Sequence, residues 1–381
     1  MSDKKTLAQL GVSSRRAVLK GVTGAAAATA LAGATARSAS ASRPTGMRMG
    51  PGPGIATRLQ DLTGNAQTGR FGARYTDLGI PVRCPDGSML FVGGDTWDGE
   101  HIFQGTWSCP VGLRSGSQDI NNLTIDSCVG GAHVRQLVDE PHNPVPGGNT
   151  TAIPTDVFRV GNSLYMHLMR GLIYQAHHTD FWRSDDNGET WQFLCKWDDV
   201  NQYNGAFQQK TYAIADNNTA YVLSSRFNRD LVSDLILHRV PLDRLGDPSA
   251  YQPWGYNGGW GWGNPPSSVA QPRKWGELCF RAMDGKYGFS FFDAGDGIIK
   301  LQVIPVPEGD LFNTFQQPLI LPGPQNVPDT ANLVRNPYGG WIVPGSTFND
   351  FHIIVSQWVQ NPGPTDEYHF MHYRIDGIWN P

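Results

Sequence analysis

The sequence predicts an all-β protein, a five-bladed β-propeller, and three observations carry that prediction. Five stretches share one layout, a short strand, a Gly/Asn/Asp turn and a second short strand. They recur every 50 to 80 residues or so, which leaves room for roughly four strands per unit. No helical periodicity intervenes. The third observation is Ser184-Asp185-Asp186-Asn187-Gly188-Glu189-Thr190-Trp191, which fits S-x-D-x-G-x-T-W at every fixed position. This Asp box closes hairpins between outer strands of propeller blades. Its carboxylate bonds backbone amides, so Asp186 is expected to be structural. A β-sandwich is the competing architecture.

The five hairpins are expected in this order. The first runs from Thr76 to Val82, turns at Asp86-Gly87 and returns through Met89–Val92 to Thr96. The second is Thr155–Phe158, Gly161-Asn162 and Leu164–Leu168; the third is Gln209–Tyr212, Asp216–Asn218 and Tyr221–Leu223. The fourth has Glu277–Phe280, Asp284-Gly285 and Gly288–Asp293. The fifth is read as Ala331–Val334, a turn at Tyr338-Gly339-Gly340, and Trp341 to Ser346.

The chain begins with what resembles an export signal. Residues 1–41 contain Ser14-Arg15-Arg16-Ala17-Val18-Leu19-Lys20, close to the twin-arginine consensus with Val18 where Phe is usual, and then a short Ala/Gly/Thr stretch. That stretch is too short to remain in a bilayer, which needs about 20 apolar residues. A twin-arginine translocase is the expected export partner, and a cell-envelope or secreted location the expected destination. Residues 42–68 are read as a flexible connection and 69–381 as the propeller.

Charge narrows the partners. The whole chain is −4. Residues 1–41 carry Lys4, Lys5, Arg15, Arg16, Lys20 and Arg37 against Asp3, a net of +5, which leaves about −9 on the remainder. Such a surface does not attract nucleic acid or anionic lipid. Five cysteines are too few and too scattered for a disulfide scaffold or a zinc module, though Cys109 and Cys128 could pair in an oxidising compartment. No phosphate loop, G-x-S-x-G elbow or H-E-x-x-H pair is present, so neither cofactor nor metal is implied. His177-His178 is a poor metal clamp, because adjacent strand residues point to opposite faces.

Propeller geometry turns the repeat into a site. The start of each hairpin's first strand and the end of its second lie at one end of the blade, around one rim of the channel. Those positions are Asp77 and Asp95, Asp156 and Arg170, Gln209 and Arg226, Glu277 and Asp293, and Asn332 and Ser346. If Pro85-Asp86-Gly87 is a three-residue turn, Cys84 faces Ser88 and Asp77 faces Asp95. Cross-strand Cβ atoms lie about 4.5–5.5 Å apart, and retaining glycosidases hold their carboxyl groups about 5–5.5 Å apart. So close a pair cannot ionise freely, and one pKa should rise. Glu277 and Asp293 form a similar expected pair. Trp97, Trp260 and Trp262 are candidates to stack on sugar rings.

At these residues the sequence resembles a known family, the endo-D-arabinanases of glycoside hydrolase family 183, formerly domain of unknown function 4185. The resemblance rests on Tyr75–Pro81, Gly94-Asp95-Thr96-Trp97, Ile153–Phe158, Trp275–Leu278, Phe292–Gly295 and Trp341–Thr347. It implies a propeller that hydrolyses α-D-arabinofuranosyl linkages in the arabinogalactan and lipoarabinomannan of mycobacterial-type walls. It also implies anomer-retaining chemistry using two aspartates, which match Asp77 and Asp95; Asp77 is assigned as nucleophile and Asp95 as acid/base, with the reverse assignment open. Two alternatives stay open: an inverting pair of Asp77 and Glu277, and a glycan-binding propeller without turnover.

Overall fold

The innermost strands are buried along nearly their whole length, as in Tyr75–Arg83 and Met89–Trp97. Both of their faces are therefore covered, as expected of strands wedged between neighbouring blades. Outer strands such as Gln192–Trp197 alternate between exposed and buried residues. The computed structural model describes residues 52–360 and 366–381, so the expected export segment lies outside the described residues.

Among the described residues, five sheets of four or five strands radiate from a central channel. Blade 1 contains Tyr75–Arg83, Met89–Trp97, Val111–Ser115 and Ser127–Cys128, from the inside out. Blade 2 contains Thr151–Val160, Ser163–Leu172, Gln175–Ser184 and Gln192–Trp197. Blade 3 begins with Gln209–Ala215 and Thr219–Ser225 and ends outermost with Gln252–Tyr256 and Trp260–Trp262. Blade 4 begins with Trp275–Met283 and Lys286–Asp293. Blade 5 contains Pro337–Ile342, Phe351–Val359, Glu367–Asp376 and, at its outer edge, Ile55–Asp61. The chain's early strand thus closes the ring by pairing antiparallel with a late one, from Ile55↔Asp376 to Asp61↔Met371.

Two sequence expectations change here. The propeller starts at Ile55 rather than at residue 69, so part of the 42–68 segment belongs to a sheet. The fifth hairpin is also shifted. Leu333–Val334 pairs parallel with Leu321-Pro322 at the edge of blade 4, and the true inner strand of blade 5 is Pro337–Ile342. Gly339 and Gly340, at φ 89° and 104°, form a bulge inside that strand rather than a turn. Asn332 and Ser346 therefore do not hold the rim positions of blade 5.

Apolar clusters fill the spaces between blades. Phe158, Tyr165, Phe181 and Tyr212 join blades 2 and 3; Leu223, Trp275, Phe280 and Phe289 join blades 3 and 4. Phe91 and Phe370 stack at 5.8 Å between blades 1 and 5. Burying each such ring contributes about 1.5–3 kcal/mol.

The Asp box behaves as expected. Asp186 accepts hydrogen bonds from the Ser184 hydroxyl at 2.7 Å, the Thr190 amide at 2.9 Å and the Thr190 hydroxyl at 2.6 Å. Burial alone would raise this carboxyl, but these bonds hold it below its ordinary value. Gly188, at φ 84°, lets the turn approach Leu90 of blade 1 closely enough that a Cβ would collide with it. No disulfide joins Cys109 to Cys128: their sulfurs face the carbonyls of Ala152 and Gly131, and all five cysteines are buried thiols.

Candidate active site

The first hairpin carries a local irregularity where the two aspartates sit. Its turn has three residues, with the Cys84 amide bonded to the Ser88 carbonyl at 2.8 Å. Tyr75↔Trp97 and Thr76↔Thr96 keep the register set by that turn. Between them and Ile80↔Val92 the ladder shifts, and Leu78 faces Gly93. Asp77 thus lies across from the Gly94-Asp95 step, in a bulge rather than in a regular cross-strand pair. Leu78 and Gly79 take up the distortion with φ of 62° and 69°. Gly94 is required by packing, since a Cβ there would collide with Asp77 Oδ1 and with Leu78.

Asp77 is buried, and Tyr338 from blade 5 donates its hydroxyl to Asp77 Oδ2 at 2.9 Å. Oδ1 is buried and has no hydrogen-bond partner among the described residues. Desolvation, followed by the negative charge of Asp95, pushes Asp77 up to about 7. Hydrogen bonds from Tyr368 and Tyr338 act in the opposite direction and are outweighed. Asp95, also buried, accepts from Trp107 Nε1 at 2.8 Å. Asp77 therefore keeps its proton up to about neutral pH, with desolvation and the neighbouring Asp95 as the causes.

A second wall faces this pair. Glu277 binds Arg229 at 3.0 Å and the Gly339 amide at 3.2 Å. The Arg229 guanidinium lies over the rings of Tyr338 and Tyr174, 5.2 and 5.8 Å from their centroids. Asp77, Tyr338, Arg229 and Glu277 form one chain of contacts across blades 1, 5, 3 and 4. Sequence reasoning missed Tyr338 and Tyr368 because both come from blade 5, whose hairpin was misread. It also missed Trp107, Arg229 and Tyr174, which lie in loops or on short strands without repeat signals.

Several expected site residues have other work. Asp156 is fully buried and saturated by Arg281 at 2.6 and 2.9 Å, the Thr211 hydroxyl and the amides of Val157 and Tyr212. It clamps blades 2, 3 and 4 together, with no oxygen left for a sugar. Asp293 does not face Glu277: a shift in the ladder places it opposite Trp275, where it binds Arg273 and Lys300, each at 2.8 Å. Burial alone would raise this carboxyl, but Lys300 and Arg273 hold it below its ordinary value. Arg170 is buried against Asp180 at 2.7 Å, Glu140 at 3.1 Å and the Asp139 carbonyl at 2.8 Å.

The tryptophans are also redistributed. Trp97 is 4% exposed and packs against Phe103, Trp107 and Tyr368, so it supports the site from behind. Trp260 and Trp262 sit on the outermost strand of blade 3, away from the channel strands. Trp262 Nε1 bonds Glu308 at 2.8 Å, while Trp260 is 45% exposed.

The family model of the domain of unknown function DUF4185 matches residues 63–374. The chain belongs to that family. A relative from Mycolicibacterium smegmatis, an uncharacterized 35.9 kDa protein in the asd 3′ region, is 25% identical over 350 residues, covering 87% of this chain and 98% of its own length. Among solved structures, a Podospora anserina α-L-arabinofuranosidase superposes with a TM-score of 0.51 at 14% identity, over 86% of this chain and 98% of its own. The catalytic domain of a Coprinopsis cinerea α-L-arabinofuranosidase gives 0.51 at 13% identity, over 85% and 97%. These likenesses establish a shared propeller fold for this DUF4185 member.

Proposed function

We propose that this protein is a secreted glycoside hydrolase that cleaves α-D-arabinofuranosyl linkages in cell-wall arabinan, acting within the chain and with retention of the anomer. One observation carries the reading: two buried carboxyls occupy one bulged hairpin, and one of them, Asp77, keeps its proton up to about neutral pH. That is the protonation state a paired-carboxylate glycosidase needs. The motif resemblance supplies the substrate class, the arabinofuranosidase propellers are compatible in fold, and the twin-arginine-like leader supports export.

The burial of Asp77 supports the reverse of the roles assigned from sequence. Asp77 holds the proton, so it delivers it to the leaving glycosidic oxygen while an Asp95 oxygen attacks the anomeric carbon. The C–O bond breaks as the glycosyl–Asp95 ester forms. Asp77, now ionised, takes a proton from water, whose oxygen displaces Asp95 and regenerates both groups. Glu277, paired with Arg229 and the Gly339 amide, is placed to hold sugar hydroxyls rather than to donate a proton.

The test is hydrolysis of purified mycobacterial-type arabinogalactan, with the first-formed anomer read by NMR. Release of oligosaccharides with the anomer retained, and loss of release in Asp95→Asn, is the expected result. Inverted product would transfer catalysis to the Asp77–Glu277 pair, and binding without turnover would make the propeller a glycan-binding module. Azide settles the two roles. Asp77→Ala should be rescued with a glycosyl azide of retained configuration, Asp95→Ala with one of inverted configuration.

A further inference from the structure

Trp107, half-buried on a two-residue strand paired with the second strand of blade 1, is held from several sides. His142 stacks on it with centroids 3.8 Å apart and planes 15° apart. Trp97 stacks on it as well, at 6.0 Å and 20°. The His142 ring is itself held at both nitrogens, Nε2 against Gln136 Oε1 at 2.8 Å and Nδ1 against the Thr150 carbonyl at 3.1 Å. Its backbone adopts φ 52°, a conformation uncommon for a side-chain-bearing residue unless the surroundings impose it.

What imposes it is the base of an arm. His142 precedes a small hairpin, Pro144-Val145 with Gly148-Asn149, and the arm is tied down by Glu140. Glu140 accepts from the His142 amide at 3.1 Å, from the Thr150 hydroxyl at 2.7 Å and from Arg170 at 3.1 Å. Asp180 braces Arg170 from the next strand of blade 2. A continuous set of contacts runs from the buried Arg170 through Glu140, His142 and Trp107 to Asp95. The purpose of a buried arginine at the rim is then apparent: it anchors the arm instead of meeting the substrate.

We propose that His142 is a positioning residue for Asp95, acting through Trp107, and that the arm around residues 139–150 exists to set the direction of the Asp95 carboxyl. The indole N–H holds Oδ1 and so sets the plane of the carboxyl, and the stacked imidazole keeps the indole plane from rotating. The inference rests on the hydrolase reading for its kinetic consequence, but not for its geometry. Displacement of a reacting group by about 1 Å costs on the order of 10²-fold in rate, so the effect belongs in kcat.

Two measurements test it. Kinetics of Trp107→Phe, His142→Ala and the double variant should show kcat reduced about 30-fold, about 10-fold and about 30-fold, with KM within about twofold of wild type. Once the indole N–H is gone, losing the imidazole costs nothing further. Multiplicative losses would overturn the proposal, because they mean that His142 acts independently of Trp107. His142→Phe, which keeps a stacked ring, should recover most of the rate lost in His142→Ala. The second measurement needs no substrate: the Trp107 indole ¹H–¹⁵N resonance should move in Asp95→Asn and again in His142→Ala. An unmoved resonance in His142→Ala would also overturn it. If the wild type releases no sugar, the hydrolase reading fails while this spectrum still decides the geometric one.

Discussion

At the scale of single residues, Asp77 gives the molecule one distinct pH-dependent contribution. Its folded value of about 7 lies above that of an unfolded aspartate, which is near 3.9. At this carboxyl the folded state therefore binds more protons than the unfolded state between about pH 4 and pH 7, so its own contribution to stability falls as pH rises through that window, while His238, His369 and His372, held low by desolvation, act in the opposite direction. Below that window, the protonated carboxyl is no liability. Asp77→Asn, neutral at every pH, should then raise Tm at pH 8 and change it little at pH 4, as read by scanning calorimetry. Each kcal/mol regained corresponds to about 2–4 °C in a domain of this size or somewhat smaller. Activity should follow the same proton: in wild type, kcat/KM should decline above about pH 7 as Asp77 loses the hydrogen it must donate.

Two glycines and a tyrosine show where the elements were legible in sequence and where they were not. Gly94 admits the Asp77 carboxyl into the bulge, so Gly94→Ala should lower kcat by about 10²-fold or more while the protein still folds, checked by kinetics beside circular dichroism. The Gly94-Asp95 pair was readable because its hairpin has a tight turn and a conserved register at both ends. Gly339 looked like another turn glycine, but it faces Glu277 and lies within a bulge, and the real connection of blade 5 is the longer loop from Val343 to Asp350. A turn signal in one dimension cannot distinguish those two uses of positive φ. Tyr338 was lost with it. The Asp box, by contrast, was legible in full because its bonds are local. Asp186→Ala should cost about 1–3 kcal/mol in urea denaturation through the unsatisfied groups it leaves, with kcat unchanged, because the box lies on the outer strands of blade 2.

For the whole molecule, five blades were countable from spacing, but the way the ring closes was not. Nothing in Ile55–Asp61 reveals that its partner is Glu367–Asp376, because pairing across the full chain leaves no periodic trace. The same holds for Trp260 and Trp262: their aromatic character was evident, but their distance from the channel depended on how many strands precede them in blade 3. Deleting residues 52–61 should lower Tm by well over 10 °C and promote aggregation, measured by calorimetry and light scattering, since it bares the edge of Glu367–Asp376.

That closure also has a temporal side. The strand that seals the ring is among the first parts of the propeller to leave the ribosome, and its partner is among the last, about 300 residues later. Closing so long a loop adds only modestly to the entropic cost, which grows with the logarithm of length. Timing is the stricter constraint. Until synthesis is complete, blade 5 lacks an edge and Tyr338 and Tyr368 have no fixed place beside Asp77. The hydroxyls that bracket the aspartate are thus delivered by the final act of folding, and a nascent or truncated chain is not expected to carry a competent site.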